Sequence, residues 1–197
     1  MLATTDEGKR IQVNQNGTWV YCDSPRKASS GSFRKSVWGM SQKEVKESEA
    51  DADWKGDEGF CYFEAMIADL NCFVMYIFAN DQLSRAKYVI TQEFANENKY
   101  VSTHDSLKEI FIKKYGAPTS EDEYWMNDLY QDSYQDWGLA VGAGHMARYV
   151  VWKLPETEIC LALSGDNYKC NLVVEYSSSY YSKVEESIKE SNVLDMI

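Results

Sequence analysis

Residue types that most often carry enzyme chemistry are sparse and irregularly spaced in this chain. Its two histidines, His104 and His145, stand alone and fall in no ligand spacing such as H-x-H or H-E-x-x-H. We expect His104 to be a solvated polar residue at a helix start, and His145 to lie in a flexible turn before a strand. The G-x-G before His145 lacks the further Gly and the Lys-Ser/Thr of phosphate-binding loops. These residues predict no catalytic residue, cofactor-binding residue, metal site or cofactor.

The cysteines predict free thiols. There are five, an odd number without a C-x-x-C pair, which excludes zinc-ribbon and thioredoxin-like motifs: Cys22, Cys61, Cys72, Cys160 and Cys170. A turn at "SGDN" sets Leu161 opposite Cys170 and places Cys160 on the other face of the sheet. A turn at "ADLN" sets Cys72 near Ile67 and leaves Cys61 far along its strand. Neither local pair is then placed to form a disulfide.

The stretch "DADWKGDEG" begins like a calcium-binding loop. Asp51, Asp53 and Asp57 fall at suitable offsets, but Lys55 occupies a ligand position. Tyr62 stands where a bidentate Glu is required. We therefore interpret the stretch as a solvated acidic loop.

The most unusual stretch is "EDEYWMNDLYQDSYQDW", residues 121–137, which we name the acidic aromatic segment. It contains six acidic residues, five aromatic residues and no Lys or Arg. Aromatic side chains are enriched in interface cores, and acidic residues attract a basic partner. The candidate partner surface comprises Tyr124, Trp125, Asp128, Tyr130, Asp132, Tyr134, Asp136 and Trp137. The alternative is that the aromatic residues cover the sheet while the acidic residues face water, as a domain of this size requires.

Composition narrows the class of partner. The chain has 197 residues, 44% of them hydrophobic, which is enough for a real core, and its net charge is -11. An acidic excess of this size argues against a nucleic-acid partner and disfavours anionic membranes. No apolar run approaches the ~20 residues that span a bilayer, and "MLATTDEGKR" has no apolar signal core, so we expect a soluble chain. A protein with a basic surface is the partner that this charge favours.

Two stretches predict the main helices. In "VWGMSQKEV", Ser41 and Glu44 form a capping box that starts a helix over residues 42–50. "STHDSLKEIFIKKYGAP" carries an apolar helical stripe, with Gly116 as its stop and Pro118 beyond it.

Each helix is followed by three strand-like runs with turn residues between them. "FCYFEAMIA", "CFVMYIFA" and "SRAKYVITQ" follow the first helix, and "MARYVVWKL", "EICLALS" and "YKCNLVVEYSSS" follow the second. "KRIQVNQNGTWVYC" predicts an N-terminal hairpin around Asn16-Gly17, and "SKVEESIKESNVL" predicts a C-terminal helix.

The fold class expected is α+β, with two tandem α-β-β-β units of antiparallel sheet, an N-terminal β-hairpin and a C-terminal helix. The expected divisions are residues 1–32 for the hairpin and linker, 33–96 and 97–180 for the two units, and 181–197 for the last helix, together one compact domain. Whether the two units share one sheet or form two sheets is left open.

Two short motifs carry a resemblance. "DEGKRIQVNQNGTWVY" resembles an element of uncharacterised bacterial proteins, often exported, in which a Gly-Lys pair precedes a strand and an Asp-Gly-Thr-Trp turn follows; here Asn16 replaces that Asp. "FRKSVWGMSQKEV" is similar to the start of helix-plus-strand units in bacterial envelope proteins. The order of elements resembles the beta-lactamase inhibitor protein fold and the small lipoproteins of outer-membrane assembly. The resemblance implies a binding protein in the periplasm, anchored to the envelope or secreted, and a cytoplasmic location stays open.

Two functional hypotheses follow. The first is a non-catalytic protein-binding or cell-envelope-associated module that uses the acidic aromatic segment. The second is a hydrolase whose carboxylates converge from distant positions, since acidic residues are many and unordered in sequence. A cleft with two close carboxylates of raised pKa would favour the enzyme.

Overall fold

The computed structural model describes residues 32–185 in full and, before them, the backbone of three short strands. The chain separates into two compact parts, an N-terminal part of residues 1–31 and a main part of residues 32–197. In the N-terminal part, β1 (Leu2–Thr4), β2 (Arg10–Val13) and β3 (Trp19–Tyr21) form an antiparallel sheet in the order β1-β2-β3. The predicted hairpin is β2 with β3. Its Asn16-Gly17 turn, Cys22 and the linker up to residue 31 lie outside the described residues. The pairing of β1 was not predicted, because three residues show no periodicity.

The main part, residues 32–197, is built on one sheet. Helix α1 (Gln42–Ser48) precedes strands β4 (Phe60–Ile67), β5 (Leu70–Ala79) and β6 (Gln82–Ile90). Helix α2 (Asn98–Tyr115) precedes β7 (Ser120–Trp125), α3 (Trp137–Gly142), β8 (Met146–Lys153), β9 (Thr157–Asp166) and β10 (Lys169–Ser178). The seven strands pair antiparallel in the order β4-β5-β6-β10-β9-β8-β7.

This architecture confirms the predicted α+β class, and it answers the question left open, because the two units share a single sheet. Residues 181–185 begin the C-terminal helix, and residues 186–197 lie outside the described part. The second unit has more elements than predicted. Strand β7, a 3-10 helix (Tyr134–Asp136) and α3 all lie in the stretch expected to be a connection. Strand β7 escapes prediction because its sequence, SEDEYW, has no apolar alternation.

Helix α1 begins as its capping box predicts. The Ser41 amide donates to Glu44 Oε2 at 2.8 Å, and the Glu44 amide donates to Ser41 Oγ at 3.3 Å. The helix ends at Ser48, two residues before the expected end. Its C-cap residue, Glu49, leaves helical geometry and turns its carboxylate into the protein.

Hairpin turns in the sheet differ from the predicted ones. The residues with positive φ are Ala68-Asp69, Asn80-Asp81 and Asn167-Tyr168, which makes each connection a two-residue turn. Cys72 therefore lies opposite Ala65, and Leu161 lies opposite Val174 rather than Cys170. The second shift is four residues, an even number, so every side chain keeps its predicted face.

The cysteines are placed accordingly. Cys160 and Cys170 lie on opposite faces of the sheet, as predicted, and Cys61 lies opposite Tyr76. Cys61, Cys72, Cys160 and Cys170 are free thiols. Burial raises the pKa of the Cys61, Cys160 and Cys170 thiols to about 11, so these sulfurs are protonated and unreactive at neutral pH.

The core lies on one face of the sheet, and Phe33 lies at its centre. Its ring is 5.4 Å from that of Tyr76 on β5 and 4.9 Å from those of Tyr88 on β6 and Tyr176 on β10. Arg34, the next residue, has a φ of 51° and donates from Nε to Glu49 Oε1 at 2.7 Å. This bond holds the segment before α1 to the end of that helix.

Glu49 links stability to pH. Glu49 is 5% exposed, and burial opposes the ionisation of its carboxyl group. The hydrogen bond and charge of Arg34, together with Lys35, nevertheless lower its pKa below the ordinary 4.5. A lowered folded-state pKa stabilises the protein above the unfolded pKa, and this stabilisation disappears as the pH falls through the folded value.

We expect Glu49→Gln to lower the free energy of unfolding at neutral pH by about 2 kcal/mol, because it removes a charged hydrogen bond from a buried site. The difference from wild type should shrink when urea unfolding is repeated well below pH 4.5. The control is Glu47→Gln, an exposed carboxylate on the same helix, expected to change stability by less than ~0.5 kcal/mol. A Glu49 variant as stable as the control at neutral pH would contradict this account.

Candidate functional site

The acidic aromatic segment occupies one edge and one end of the seven-stranded sheet. Its first residues form β7, which pairs with β8 from Ser120–Val151 to Trp125–Met146. Residues 126–133 form a loop, which we name the β7–α3 loop, and the 3-10 helix and α3 follow it. The segment thus combines an edge strand with a loop that folds back over the core.

Three of its aromatic residues pack inward. Trp125, Tyr130 and Trp137 are half-buried against the core. The Trp125 and Trp137 rings meet edge to face at 5.7 Å, and Tyr130 stacks on His145 at 5.9 Å. Trp137 Nε1 donates to the backbone oxygen of Gln131 at 3.1 Å, which ties the loop to α3.

Helix α3 is itself fixed by a close approach to α2. The Gly138 amide donates to Asn98 Oδ1 at 2.6 Å. A Cβ at Gly138 would lie 2.1 Å from the carbonyl carbon of Glu97, so only glycine fits here. The base of the loop is therefore built on two helices and the end of the sheet.

The outward side chains of the segment are apolar and acidic in alternation. Tyr134 is 55% exposed, and Asp128 and Asp132 are exposed, whereas Asp136 is half-buried at the start of α3. Sequence reasoning missed Met126 and Leu129, which are 62% and 67% exposed. Both residues stand between acidic residues in the sequence, and this spacing could have identified them as exposed.

Strand β7 carries Tyr124 on the outer face of the sheet, where it is 52% exposed and contacts Tyr149 at 5.9 Å. Two of its acidic residues, Glu121 and Glu123, join an ion-pair network with α2 and β8. Lys108 contacts Glu121 at 2.7 Å, and Arg148 contacts Glu123 at 3.4 Å.

Arg148 also contacts Asp105 on α2, at 2.9 Å. The hydrogen bond from His104, followed by the charge of Arg148, lowers the pKa of Asp105 despite its partial burial. The network therefore holds Asp105 ionised and connects the edge of the sheet to α2.

The structure corrects the expectation for His104. It is fully buried within the first half of α2, which starts one turn earlier than predicted, at Asn98. Burial lowers its pKa, and Nε2 finds no hydrogen-bond partner among the described residues. His145 lies, as predicted, in a turn before a strand, at the end of α3 and under Tyr130.

Several carboxylates elsewhere are held by cations. The pKa of Glu175 is lowered by Lys87 and Arg85 against the effect of burial, as that of Glu49 is by Arg34. In the first unit's acidic loop, Lys55 contacts Glu64 at 2.8 Å. Within residues 32–185, no group of three or more His, Cys, Asp or Glu side chains is arranged to hold a metal ion.

Two shallow depressions lie on the surface of the described residues. One, of about 180 Å³, is bordered by the start of α2 and Tyr134. The other, of about 220 Å³, is bordered by Glu158, Lys183 and serines at the end of β10. Both are small beside the 300–1,000 Å³ that is typical of ligand pockets.

Comparisons with known proteins found no match to a family model, a curated protein or a solved structure. The resemblance to bacterial envelope proteins therefore stays a prediction. None of the helices in the described part of the chain is long and apolar enough to cross a membrane.

Inward and outward aromatic residues of the segment should differ in their effect on stability. We expect Trp137→Ala to lower the free energy of unfolding by about 2 kcal/mol, because a half-buried ring leaves the core. Tyr134→Ala should cost less than ~0.5 kcal/mol, because most of that ring already faces water. Chemical denaturation measures both. Equal losses would show that Tyr134 is a packing residue.

Proposed function

We propose that this protein is a binding module for a protein partner with a basic surface, and that the β7–α3 loop and the 3-10 helix form its contact surface. One observation carries the proposal: exposed apolar side chains alternate with exposed acidic ones on a loop whose base is packed into the core. The contact residues are Met126, Leu129 and Tyr134 for apolar contact, with Asp128 and Asp132 beside them.

Preorganisation supports this proposal. A flexible loop loses conformational freedom when it binds, and each immobilised side chain costs about 0.5–1.5 kcal/mol. Trp125, Tyr130 and Trp137 lie beneath the β7–α3 loop and hold it before any partner arrives. The contact residues are therefore presented at a lower entropic cost than in a free loop.

Charge supports the choice of a basic partner. Within residues 32–185, Asp128, Asp132 and Asp136 form no salt bridge with Lys, Arg or His. Their charges are part of the chain's net charge of -11. Such a surface accelerates encounter with a basic protein and repels an acidic one.

The ion pairs that Glu49, Asp105 and Glu175 form with cations support a hydrolase less than they support a binding module. A general acid at neutral pH needs a carboxyl group of raised pKa. Glu49, Asp105 and Glu175 are shielded from water to different degrees, and each has a lowered pKa because of its cationic partners. These groups are suited to holding the fold together.

The test uses a partner recovered from the native source with the wild-type protein and followed by surface binding kinetics. Leu129→Ala and Tyr134→Ala should speed dissociation by about tenfold together, because apolar anchors act mainly on the off-rate. Asp128→Asn with Asp132→Asn should slow association and flatten its dependence on salt, because steering is screened within ~8 Å at physiological ionic strength.

The matched control is Ile110→Ala, an exposed apolar residue on α2 that is 45% exposed. It should leave both rates unchanged. If the loop variants keep both wild-type rates, the contact surface lies elsewhere and the proposal is wrong.

A further inference from the structure

The two edges of the seven-stranded sheet differ. At the β4 edge, Lys55 pairs its backbone with Tyr62 through two hydrogen bonds of 2.8 and 2.9 Å. This bridge occupies Tyr62, the third residue of β4. At the other edge, β7 has β8 on one side, and no backbone hydrogen bond from residues 32–185 reaches its other side. An unpaired edge is a template for a further strand.

Hydrogen bonds at the ends of β8 identify the backbone groups that face this open edge. Leu154 N donates to Thr157 O at 2.9 Å on the β9 side, and Met126 N donates to His145 O at 2.8 Å on the β7 side. Antiparallel partners alternate between hydrogen-bonded and non-hydrogen-bonded pairs. Even-numbered residues of β8 therefore bond to β9 and odd-numbered ones to β7.

The β7 partners of those odd-numbered residues are Ser120, Asp122 and Tyr124. The N–H and C=O groups of Glu121, Glu123 and Trp125 consequently point away from β8, towards the open edge. Three residues with outward groups suffice for a short added strand.

Side chains on β7 select which strand can pair there. Glu121, Asp122 and Glu123 are exposed. Glu121 and Glu123 surround the two cations Lys108 and Arg148 together with Asp105 of α2, and Asp122 adds a negative charge on the opposite face of the strand. A second copy of β7 would set acidic residues against acidic residues, which destabilises a strand pair. A strand with Lys or Arg would set opposite charges together. Tyr124, exposed on the outer face, offers an aromatic surface to an alternate side chain of that strand.

We propose that β7 binds its partner by strand addition, and that the partner contributes an extended basic segment. This inference rests on the proposed function, because it names the binding mode and the part of the basic partner that docks. The backbone ladder supplies affinity, and the acidic side chains supply the preference for basic sequence.

The probe is a synthetic peptide of about eight residues, alternating Lys and Val, added to the 197-residue chain. Amide hydrogen exchange is then followed by NMR. The amides of Glu121, Glu123 and Trp125 should exchange rapidly in the free protein and become protected with the peptide. The amides of Asp122 and Tyr124 should be protected in both states, because they already bond to β8. This alternation is the signature of an added strand.

A pair of variants isolates the backbone contribution. Glu123→Pro and Glu123→Ala both remove the carboxylate, but only the proline removes the outward N–H, which an edge strand tolerates. We expect proline to weaken peptide binding about tenfold relative to alanine, the equivalent of one lost hydrogen bond. Thermal unfolding of both variants checks that the fold is retained. If proline unfolds the protein, the exchange pattern of the wild type decides alone.

Two further peptides separate the outcomes. A Lys-Gly-Lys-Pro repeat has the same charge and poor strand propensity, and a Glu-Val repeat reverses the charge. Binding of the Lys-Val peptide alone, with alternating protection, supports strand addition. Equal binding of both basic peptides without protection overturns strand addition but leaves the basic partner of the proposed function standing. Binding of the Glu-Val peptide, or of none of the three, overturns the inference. In that case the kinetic test on Leu129 and Tyr134 decides the proposed function separately.

Discussion

The antiparallel pairing of β6 with β10 is the interaction on which the rest of this structure depends. It runs from Val89–Val173 to Arg85–Ser177. Strands β6 and β10 do not follow each other along the chain, whereas the strands of every other neighbouring pair in the seven-stranded sheet do. Without it, β4-β5-β6 and β10-β9-β8-β7 would be two separate sheets. Lys87 contacts Glu175 across this junction on the outer face, and Phe33 contacts Tyr88 and Tyr176 across it on the inner face. The junction is thus held by backbone, charge and aromatic contacts at once.

A single sheet whose core lies on one face determines where the candidate surfaces lie. Helix α1 belongs to the first helix-plus-sheet unit and helix α2 to the second, and the core residues of both units form one continuous cluster. Because the second unit enters the sheet through β10, its first strand, β7, is left at the far edge. The loop after β7 then returns across the end of the sheet, where α3 and His145 support it. The topology of the sheet therefore places the acidic residues, which are excluded from a core, next to the open strand edge.

Local signals in the sequence predict local structure well here. The Ser41 capping box, the Gly116 helix stop and the faces of β6 and β9 were all predictable, because each depends on neighbouring residues or on strand periodicity. Strand β7 was not, since it is a strand through its pairing with β8 rather than through its own propensity. The strand registers of the hairpins differ from the predicted ones because backbone pairing continues into residues that were predicted to be turns. Between β9 and β10 the turn therefore falls on Asn167 and Tyr168, which adopt positive φ. His104 was misjudged because burial in α2 depends on the tertiary contacts of the sheet. In the acidic aromatic segment, composition indicated a surface, but only the fold separates its inward rings from its outward ones.

The presentation of the apolar side chains and their low entropic cost both depend on order in the β7–α3 loop. Backbone ¹⁵N relaxation of the free protein tests it most directly. If Trp125, Tyr130 and Trp137 hold the loop, residues 126–136 should show order parameters close to the ~0.85 of rigid backbone and similar to those of β8 and β9. Order parameters below ~0.6 across those residues, with the strands rigid, would contradict the account.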